Sequence, residues 1–227
     1  MLNRPQTICF FFGVYKEWDL AFRLSRQLKT IFPTEQILCV TDGTHNSEFA
    51  VFCEQQKITY FKGERLFRQA SGGAWIKRMF DFFLLKSRAD CLISLDPDSF
   101  INHAFKELPD ADVAGNILSL LDQRQFIQGG CVFFKRAACE TIIRSELLND
   151  VKYTCNSLFA YRRYYLPYLV PGEQASSEWY IASDQIWSDV IWKLGLKVEE
   201  WNEVYSRVRT ACPTPEKYAV IHPVKQL

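Results

Sequence analysis

The feature that most constrains the fold is a short apolar run that ends in two carboxylates. Residues 91–95 read Cys-Leu-Ile-Ser-Leu, and Asp96, Pro97 and Asp98 follow directly. An apolar run of this length, with turn residues behind it, is typical of a buried strand in a parallel sheet. Because open α/β sheets bind ligands at the carboxyl ends of their strands, we expect the two aspartates to lie at a ligand site.

The chemistry of this pair favours a divalent cation. Carboxylate oxygens are preferred ligands of Mg²⁺ and Mn²⁺, which enzymes often use to hold a diphosphate. Pro97 fixes its own φ and disfavours helix at Asp96, so the two carboxylates are expected on a stiff turn. A second D-x-D, at residues 110–112, has no apolar run before it and is interpreted as a surface turn.

Strand-like and helix-like segments alternate through the first hundred residues. Strands are predicted at 7–15, 36–41, 57–61 and 91–95, with helices at 17–31, 47–56 and 74–86. Ser47 is the expected cap of the second helix, and Asp42 is interpreted as a turn residue. This β-α-β-α-β order is typical of a parallel sheet with right-handed crossovers. It predicts a Rossmann-like amino half in an α/β fold.

The second half of the chain has a less regular pattern. Strands are predicted at 112–117, 129–135, 197–201 and 218–222, and helices at 136–148 and 183–194, with Gly195 as a C-cap. Residues 153–171 are rich in aromatics and arginine without a clean period. They are interpreted as part of an acceptor site or as a dimer interface. We expect one domain over 1–227, with a nucleotide-binding half at about 1–100 and an acceptor-binding half at about 101–227.

Composition excludes several classes of protein. Hydrophobic residues make up 48% of the chain, which is enough for a large core, and 27 basic residues nearly balance 26 acidic ones. That balance argues against a nucleic-acid binder. There is no signal-peptide pattern and no apolar run that could span a bilayer. The eight cysteines include no C-x-x-C pair, which indicates buried, reduced thiols and no zinc site. We therefore expect a cytoplasmic protein, with peripheral attachment to a membrane left open.

Taken in order, these motifs resemble GT-A-fold glycosyltransferases, the D-x-D-containing enzymes that use nucleotide-diphospho-sugars. The resemblance spans about residues 7–222, and 72–99 is its most specific part. It implies a GT-A-like three-layer α/β/α fold with a mostly parallel central sheet. It also implies transfer of a hexose-class sugar from a nucleotide sugar to an unknown glycan, lipid or protein acceptor. A UDP-sugar is favoured over a GDP-sugar.

The resemblance also implies a set of metal ligands. In the family, the D-x-D aspartates and a histidine near the carboxyl end hold Mn²⁺ or Mg²⁺, and these positions match Asp96, Asp98 and His222. Asp96 matches a residue that often contacts the nucleotide ribose as well. His222 could instead be an ordinary core histidine. Lys225 resembles a family residue that contacts the diphosphate.

Further positions match the family's nucleotide site. The end of the first strand, Gly13, Val14 and Tyr15, matches the edge that holds the base, and Tyr15 could stack on it. The helix before the D-x-D strand usually carries a basic residue that faces the nucleotide, and Lys77 and Arg78 both fit. Neighbours on a helix point in different directions, so only one of the two is expected to face inward.

The sugar and acceptor site is matched by two short motifs. Gly129 and Gly130 resemble the small residues that line it, and glycines permit close approach of the backbone. Asp184 resembles an acid that serves as general base in inverting members. Gln185 stands where the usual second acid would be. If Asp184 only caps its helix, the enzyme could retain the anomeric configuration.

Two other functions are compatible with the D-x-D. Haloacid-dehalogenase-like phosphatases also end a strand in this motif, but theirs usually follows the first strand, whereas Asp96 follows several βα units. A non-catalytic protein of the same fold could bind a nucleotide sugar without turnover. Metal-dependent binding of UDP or GDP would separate the transferase class from the phosphatases.

Overall fold

A computed structural model describes residues 6–66, 72–119, 125–150, 153, 183–206 and 212–222. Its strands are β1 (Ile8–Val14), β2 (Gln36–Asp42), β3 (Thr59–Gly63), β4 (Cys91–Leu95), β5 (Phe100–Ile101), β6 (Val113–Ser119), β7 (Gln125–Lys135), β8 (Val198–Glu200), β9 (Val204–Ser206) and β10 (Val220–His222). Its α-helices are α1 (Trp18–Ile31), α2 (Ser47–Gln55), α3 (Gly72–Lys86), α4 (Arg136–Arg144) and α5 (Ser183–Lys193).

In this described part, seven strands form a central sheet in the order β3-β2-β1-β4-β7-β6-β8. The strands β3, β2, β1 and β4 run parallel, while β7 runs antiparallel to both β4 and β6. A smaller sheet has the order β5-β10-β9. The mostly parallel sheet predicted from the sequence is therefore confirmed. The reversed strand β7 brings the second half of the chain back beside the carboxyl end of β4.

Alternate residues of the central strands face opposite sides of the sheet. In β1, Cys9 and Phe11 belong to the core cluster that includes residues of α3, α4 and α5, whereas Phe10 and Phe12 belong to the cluster on the other face, with residues of α1 and α2 and with Trp201. All four β1 side chains are fully buried or nearly so. Burial on both faces explains why β1 reads as a continuous apolar run. The result is the predicted three-layer α/β/α arrangement.

Several segment ends differ from the predicted ones for local reasons. Asn46, not Ser47, caps α2: its extended backbone lets its side-chain oxygen accept a hydrogen bond from the Phe49 amide at 2.9 Å. Lys57 and Glu146 adopt left-handed φ angles of 55° and 56°. The first delays β3 beyond its predicted start, and the second separates α4 from a short 3₁₀ turn.

The cysteines of the described residues are free thiols. All of these except Cys212 are buried, as predicted, and burial raises the pKa of Cys9 to about 12. Such thiols stay protonated and inert near neutral pH. None of the described helices combines the length and apolar character required to cross a membrane.

Candidate metal centre

The D-x-D aspartates lie on a closed turn at the carboxyl end of β4. The Ser99 amide donates to the Asp96 carbonyl at 3.0 Å, with Pro97 at the second position, which suits proline in a β-turn. The Ser99 hydroxyl donates to the Gly130 carbonyl at 2.7 Å, and the Asp96 amide donates to the same oxygen at 3.1 Å. The turn is therefore fixed to β7.

The small sheet brings His222 to this turn. Strand β5 directly follows the turn, and β10 pairs with it in antiparallel register, Ile221 opposite Phe100. As a result, His222 Nε2 lies 3.1 Å from Asp98 Oδ1 and 3.4 Å from Asp96 Oδ2. One ligand atom from each of the three side chains lies within 4.8 Å of the others.

This donor set fits a divalent cation. Two carboxylates and one imidazole form a mixed oxygen and nitrogen set, which suits Mn²⁺ and is compatible with Mg²⁺. His222 is 8% exposed, whereas both aspartates are partly exposed. The centre is thus open on the aspartate side, where further ligands such as diphosphate oxygens could approach. The structure brings together the three predicted metal ligands, Asp96, Asp98 and His222.

The two glycines of β7 lie on either side of this arrangement. Gly130 has a φ of +100°, and a Cβ atom there would lie 2.1 Å from His222 Nδ1, so the imidazole occupies the space of the missing side chain. A Cβ atom at Gly129 would lie 3.7 Å from Asp96 Oδ2 and 3.9 Å from Asp184 Oδ2. Gly129 therefore separates the metal centre from Asp184, and both glycines remain predicted to line the sugar pocket.

Helix α5 places Asp184 through its contacts with β7. Trp187 Nε1 donates to the Ile127 carbonyl at 3.0 Å, and the Ile127 amide donates to Ser188 Oγ at 3.0 Å. Asp184 lies in the first turn of α5, and its Oδ1 accepts from the Gln185 amide at 3.0 Å. The docked helix thus holds a carboxylate beside the metal centre, on the far side of Gly129.

A second cluster, the Tyr15 cluster, lies at the carboxyl ends of β1 and β2 and consists of Tyr15, Asp42 and Arg65. The Arg65 guanidinium carbon is 3.3 Å from the centre of the Tyr15 ring, and Arg65 forms a 3.3 Å ion pair with Asp42. The Asp42 carboxylate also accepts from the Leu66 amide at 2.6 Å. Asp42 is only 3% exposed, so it is a buried anchor for Arg65 rather than a simple turn residue. Sequence reasoning missed Arg65 because its contacts are set by strand order.

Packing against Trp75 explains why a glycine, Gly13, lies near the end of β1. A Cβ atom at Gly13 would lie 2.0 Å from Trp75 Cζ2, so the indole of α3 fills that space. Val14 is buried as well, whereas Tyr15 is half-buried. Of these three predicted nucleotide-binding residues, Tyr15 presents a side chain at the edge of the sheet.

The two basic residues of α3 point in different directions, as predicted. Arg78 Nη1 donates to the Glu64 carbonyl at 2.8 Å, which places it at the carboxyl end of β3, close to the Tyr15 cluster. Lys77 instead forms an exposed ion pair with Asp81 on the same helix, at 2.6 Å. Arg78 is thus the residue that lies toward the sheet edge. Lys225 and most of the predicted 153–171 segment lie outside the described residues.

Comparisons with known proteins bear on the fold. No protein-family model matches the sequence, and no curated protein matches it. Among solved structures, the chain is similar to the galactosyltransferase LgtC in complex with donor and acceptor sugar analogs, with a TM-score of 0.58. The match covers 96% of this chain and 87% of that chain at 11% sequence identity. LgtC is a GT-A glycosyltransferase, so the predicted GT-A-like fold is confirmed.

Proposed function

We propose that this GT-A-like chain is a metal-dependent glycosyltransferase that moves a hexose-class sugar from a nucleotide-diphosphate sugar to an acceptor. The observation that carries the proposal is the convergence of Asp96, Asp98 and His222 at the carboxyl end of β4. The two carboxylates lie on the turn after β4 of the central sheet and the imidazole lies in β10 of the small sheet, and the site lies where an open α/β sheet binds its ligand. LgtC, a galactosyltransferase with the same fold, supports the class of reaction.

Asp96, Asp98 and His222 would hold Mn²⁺ or Mg²⁺. When bound, such an ion stabilises the negative charge that develops on a departing nucleoside diphosphate. The two carboxylates carry formal charges that a diphosphate alone would repel, so nucleotide binding should depend on the cation. We expect Lys225 to contact the diphosphate as well.

Asp184 would orient or deprotonate the acceptor hydroxyl. Its carboxylate lies within 4 Å of the position that a Gly129 Cβ would occupy, as does that of Asp96. A sugar bound over Gly129 would therefore contact both the metal centre and Asp184, because glycine permits close approach there. If Asp184 takes the proton of the acceptor hydroxyl, the reaction inverts the anomeric configuration.

The Tyr15 cluster would bind the nucleotide base and phosphates. Tyr15 offers a half-buried ring for stacking on a base, and Arg78 lies at the same sheet edge with a positive charge for the phosphates. We expect a UDP-sugar as donor. The acceptor, a glycan, lipid or protein, would enter from the side of α5.

Calorimetry tests the donor site directly. UDP and GDP would each be titrated into the protein with Mn²⁺, with Mg²⁺ and with EDTA. Metal-dependent binding of one nucleotide, lost in EDTA, is the expected result and names the base. No binding of either nucleotide under any condition would contradict the proposed donor site.

Turnover separates an enzyme from a binding protein. UDP release from a UDP-hexose would be followed with wild-type protein and with Asp184→Asn. We expect the variant to bind the donor as tightly as the wild type but to release UDP far more slowly. Tight, metal-dependent donor binding without release by the wild type, across a panel of sugar acceptors, would favour a non-catalytic role.

A further inference from the structure

Ser206 lies directly behind the metal-binding histidine. Strands β9 and β10 run parallel, and their register pairs Ser206 with His222. Ser206 is fully buried, and its hydroxyl contacts two groups: the Gly129 carbonyl oxygen and His222 Nδ1, the latter at 3.1 Å. The small sheet therefore presents a hydroxyl to the ring nitrogen that faces away from the aspartates.

The chemistry of these two contacts determines where the protons lie. The Gly129 carbonyl can only accept a hydrogen bond, so the single hydroxyl proton of Ser206 is donated to it. The remaining lone pairs of Ser206 Oγ can only accept, so His222 Nδ1 must carry the proton that it donates to Ser206. A neutral imidazole has one protonated nitrogen, which leaves Nε2 with its lone pair.

That lone pair faces the two aspartates. Nε2 lies 3.1 Å from an Asp98 oxygen and 3.4 Å from an Asp96 oxygen. Three groups that can only accept hydrogen bonds then point at one another, an arrangement that is stable when a cation lies among them. We propose that Ser206 is a positioning residue, which fixes the Nδ1–H tautomer and the ring orientation of His222 so that Nε2 is a metal ligand.

Gly130 of β7 also determines where the His222 ring can lie. The space for the imidazole exists because Gly130 has no side chain, so Gly130 provides room while Ser206 provides direction. Both β7 glycines therefore affect the position of His222: Gly130 lies against the ring, and the Gly129 carbonyl orients the Ser206 hydroxyl. The inference rests on the proposed function, since it needs a cation at this centre.

Manganese titration followed by electron paramagnetic resonance tests the proposal without any turnover. The variants are Ser206→Ala, which removes the hydroxyl, and Ser206→Thr, which keeps it. Ser25→Ala is the matched control: Ser25 is equally buried, lies in α1, and its hydroxyl has no hydrogen-bond partner among the described residues. Partners behind a metal-binding histidine typically change metal affinity by about 10- to 100-fold.

We expect Ser206→Ala to weaken Mn²⁺ binding by about 10- to 100-fold, and Ser206→Thr and Ser25→Ala to bind Mn²⁺ nearly as the wild type does. Equal affinities of wild type and Ser206→Ala would overturn the role of Ser206 while leaving the proposed function intact. Absence of Mn²⁺ binding by the wild type, with and without UDP, would instead overturn the metal centre itself.

The tautomer of His222 can also be measured in the wild-type protein, which tests the proposal even if Ser206→Ala fails to fold. Long-range ¹H–¹⁵N correlation spectra distinguish the two tautomers of each neutral histidine, and the chain has three histidines, so His222→Asn assigns the relevant signals. We expect protonated Nδ1 and unprotonated Nε2 at His222. A ring protonated on Nε2 in the neutral state would overturn the proposal.

Discussion

The two ends of the candidate site have opposite electrostatic designs. At the β1–β3 end, the basic groups already have partners within the chain: Arg65 pairs with Asp42, and Arg78 donates to the Glu64 carbonyl. At the β4 end, Asp96 and Asp98 face a histidine nitrogen across 3.1–3.4 Å. A ligand at the first end would share existing contacts, whereas a cation at the second would be held directly by the two carboxylates and the imidazole. Substitutions at the metal end should therefore reduce ligand affinity more than substitutions at the β1–β3 end.

The most severe change removes a metal ligand. Asp98→Asn replaces a charged oxygen with a neutral amide, and we expect Mn²⁺ affinity to fall by at least about 100-fold, beyond what loss of a supporting residue costs. Metal-dependent nucleotide binding should disappear with it. The control is Asp110→Asn in the second D-x-D, which lies on an exposed turn and whose carboxylate forms an ion pair with Lys135. Calorimetry with Mn²⁺ and UDP measures both, and equal losses would contradict the assignment.

Alanine variants of two glycines with positive φ, Gly130 and Gly195, distinguish the effect of backbone strain from the effect of displacing His222. Gly130→Ala and Gly195→Ala each force alanine into a left-handed conformation, which costs about 1–2 kcal/mol. A Cβ at Gly130 would also overlap the His222 ring, whereas a Cβ at Gly195 would have no atom of the described residues within 4 Å.

We therefore expect Gly130→Ala to unfold at lower denaturant concentration than Gly195→Ala and to weaken Mn²⁺ binding by about 10-fold or more. Gly195→Ala should bind Mn²⁺ as the wild type does. Urea unfolding and Mn²⁺ titration measure the two effects. Normal Mn²⁺ affinity in a folded Gly130→Ala variant would contradict the geometry of the centre.

At the other end, Tyr15→Ala should weaken UDP binding without changing Mn²⁺ affinity in the absence of nucleotide. Stacking of a base on an aromatic ring is worth about 1–3 kcal/mol by alanine substitution, so UDP affinity should fall by about 5- to 150-fold. Tyr15→Phe keeps the ring and should bind nearly normally. A similar loss in both variants would indicate that the hydroxyl, not the ring, contributes the affinity.

The smallest contrast lies between the adjacent basic residues of α3. We expect Arg78→Ala to weaken UDP binding several-fold because Arg78 lies at the sheet edge, and Lys77→Ala to leave it unchanged. The Lys77–Asp81 pair is exposed, and such pairs contribute about 0–1 kcal/mol to stability, so Lys77→Ala should also unfold almost normally. Calorimetry with UDP measures both affinities. A larger loss in Lys77→Ala than in Arg78→Ala would contradict the assignment of Arg78 as the residue that faces the nucleotide.

The same two ends differ in how far sequence could predict them. The long strands β1 and β2 are buried runs that their composition reveals, and the turn after β4 follows from Asp96-Pro97-Asp98. Strands of two or three residues carry little periodicity. The sequence predicts β8 and β10 as parts of longer strand-like segments, whereas β5 and β9 lie outside every predicted strand. His222 was reached only through a resemblance to a known family, because its neighbours depend on the pairing of those short strands.

Residues that support the site were the least predictable. Ser99 and Ser206 are ordinary serines in the sequence, and their roles follow from contacts with the β7 carbonyls. Arg65 follows β3 and contacts Tyr15, which follows β1, across the end of β2, where Arg65 also pairs with Asp42. Hydrogen bonds between residues far apart in the chain leave no local pattern. A search for buried serines close to a metal ligand requires the structure.

The placement of the three proposed metal ligands beside two different sheets has a thermodynamic consequence. A cation held by Asp96 and Asp98 on one side and by His222 on the other would link the end of β4 in the central sheet to β10 in the small one. Because the unfolded chain does not hold these ligands together, binding stabilises the native state by about 2.7 kcal/mol when the free ion is at 100 times its Kd. The small sheet would then derive part of its resistance to heat and proteases from an ion bound at the candidate metal centre.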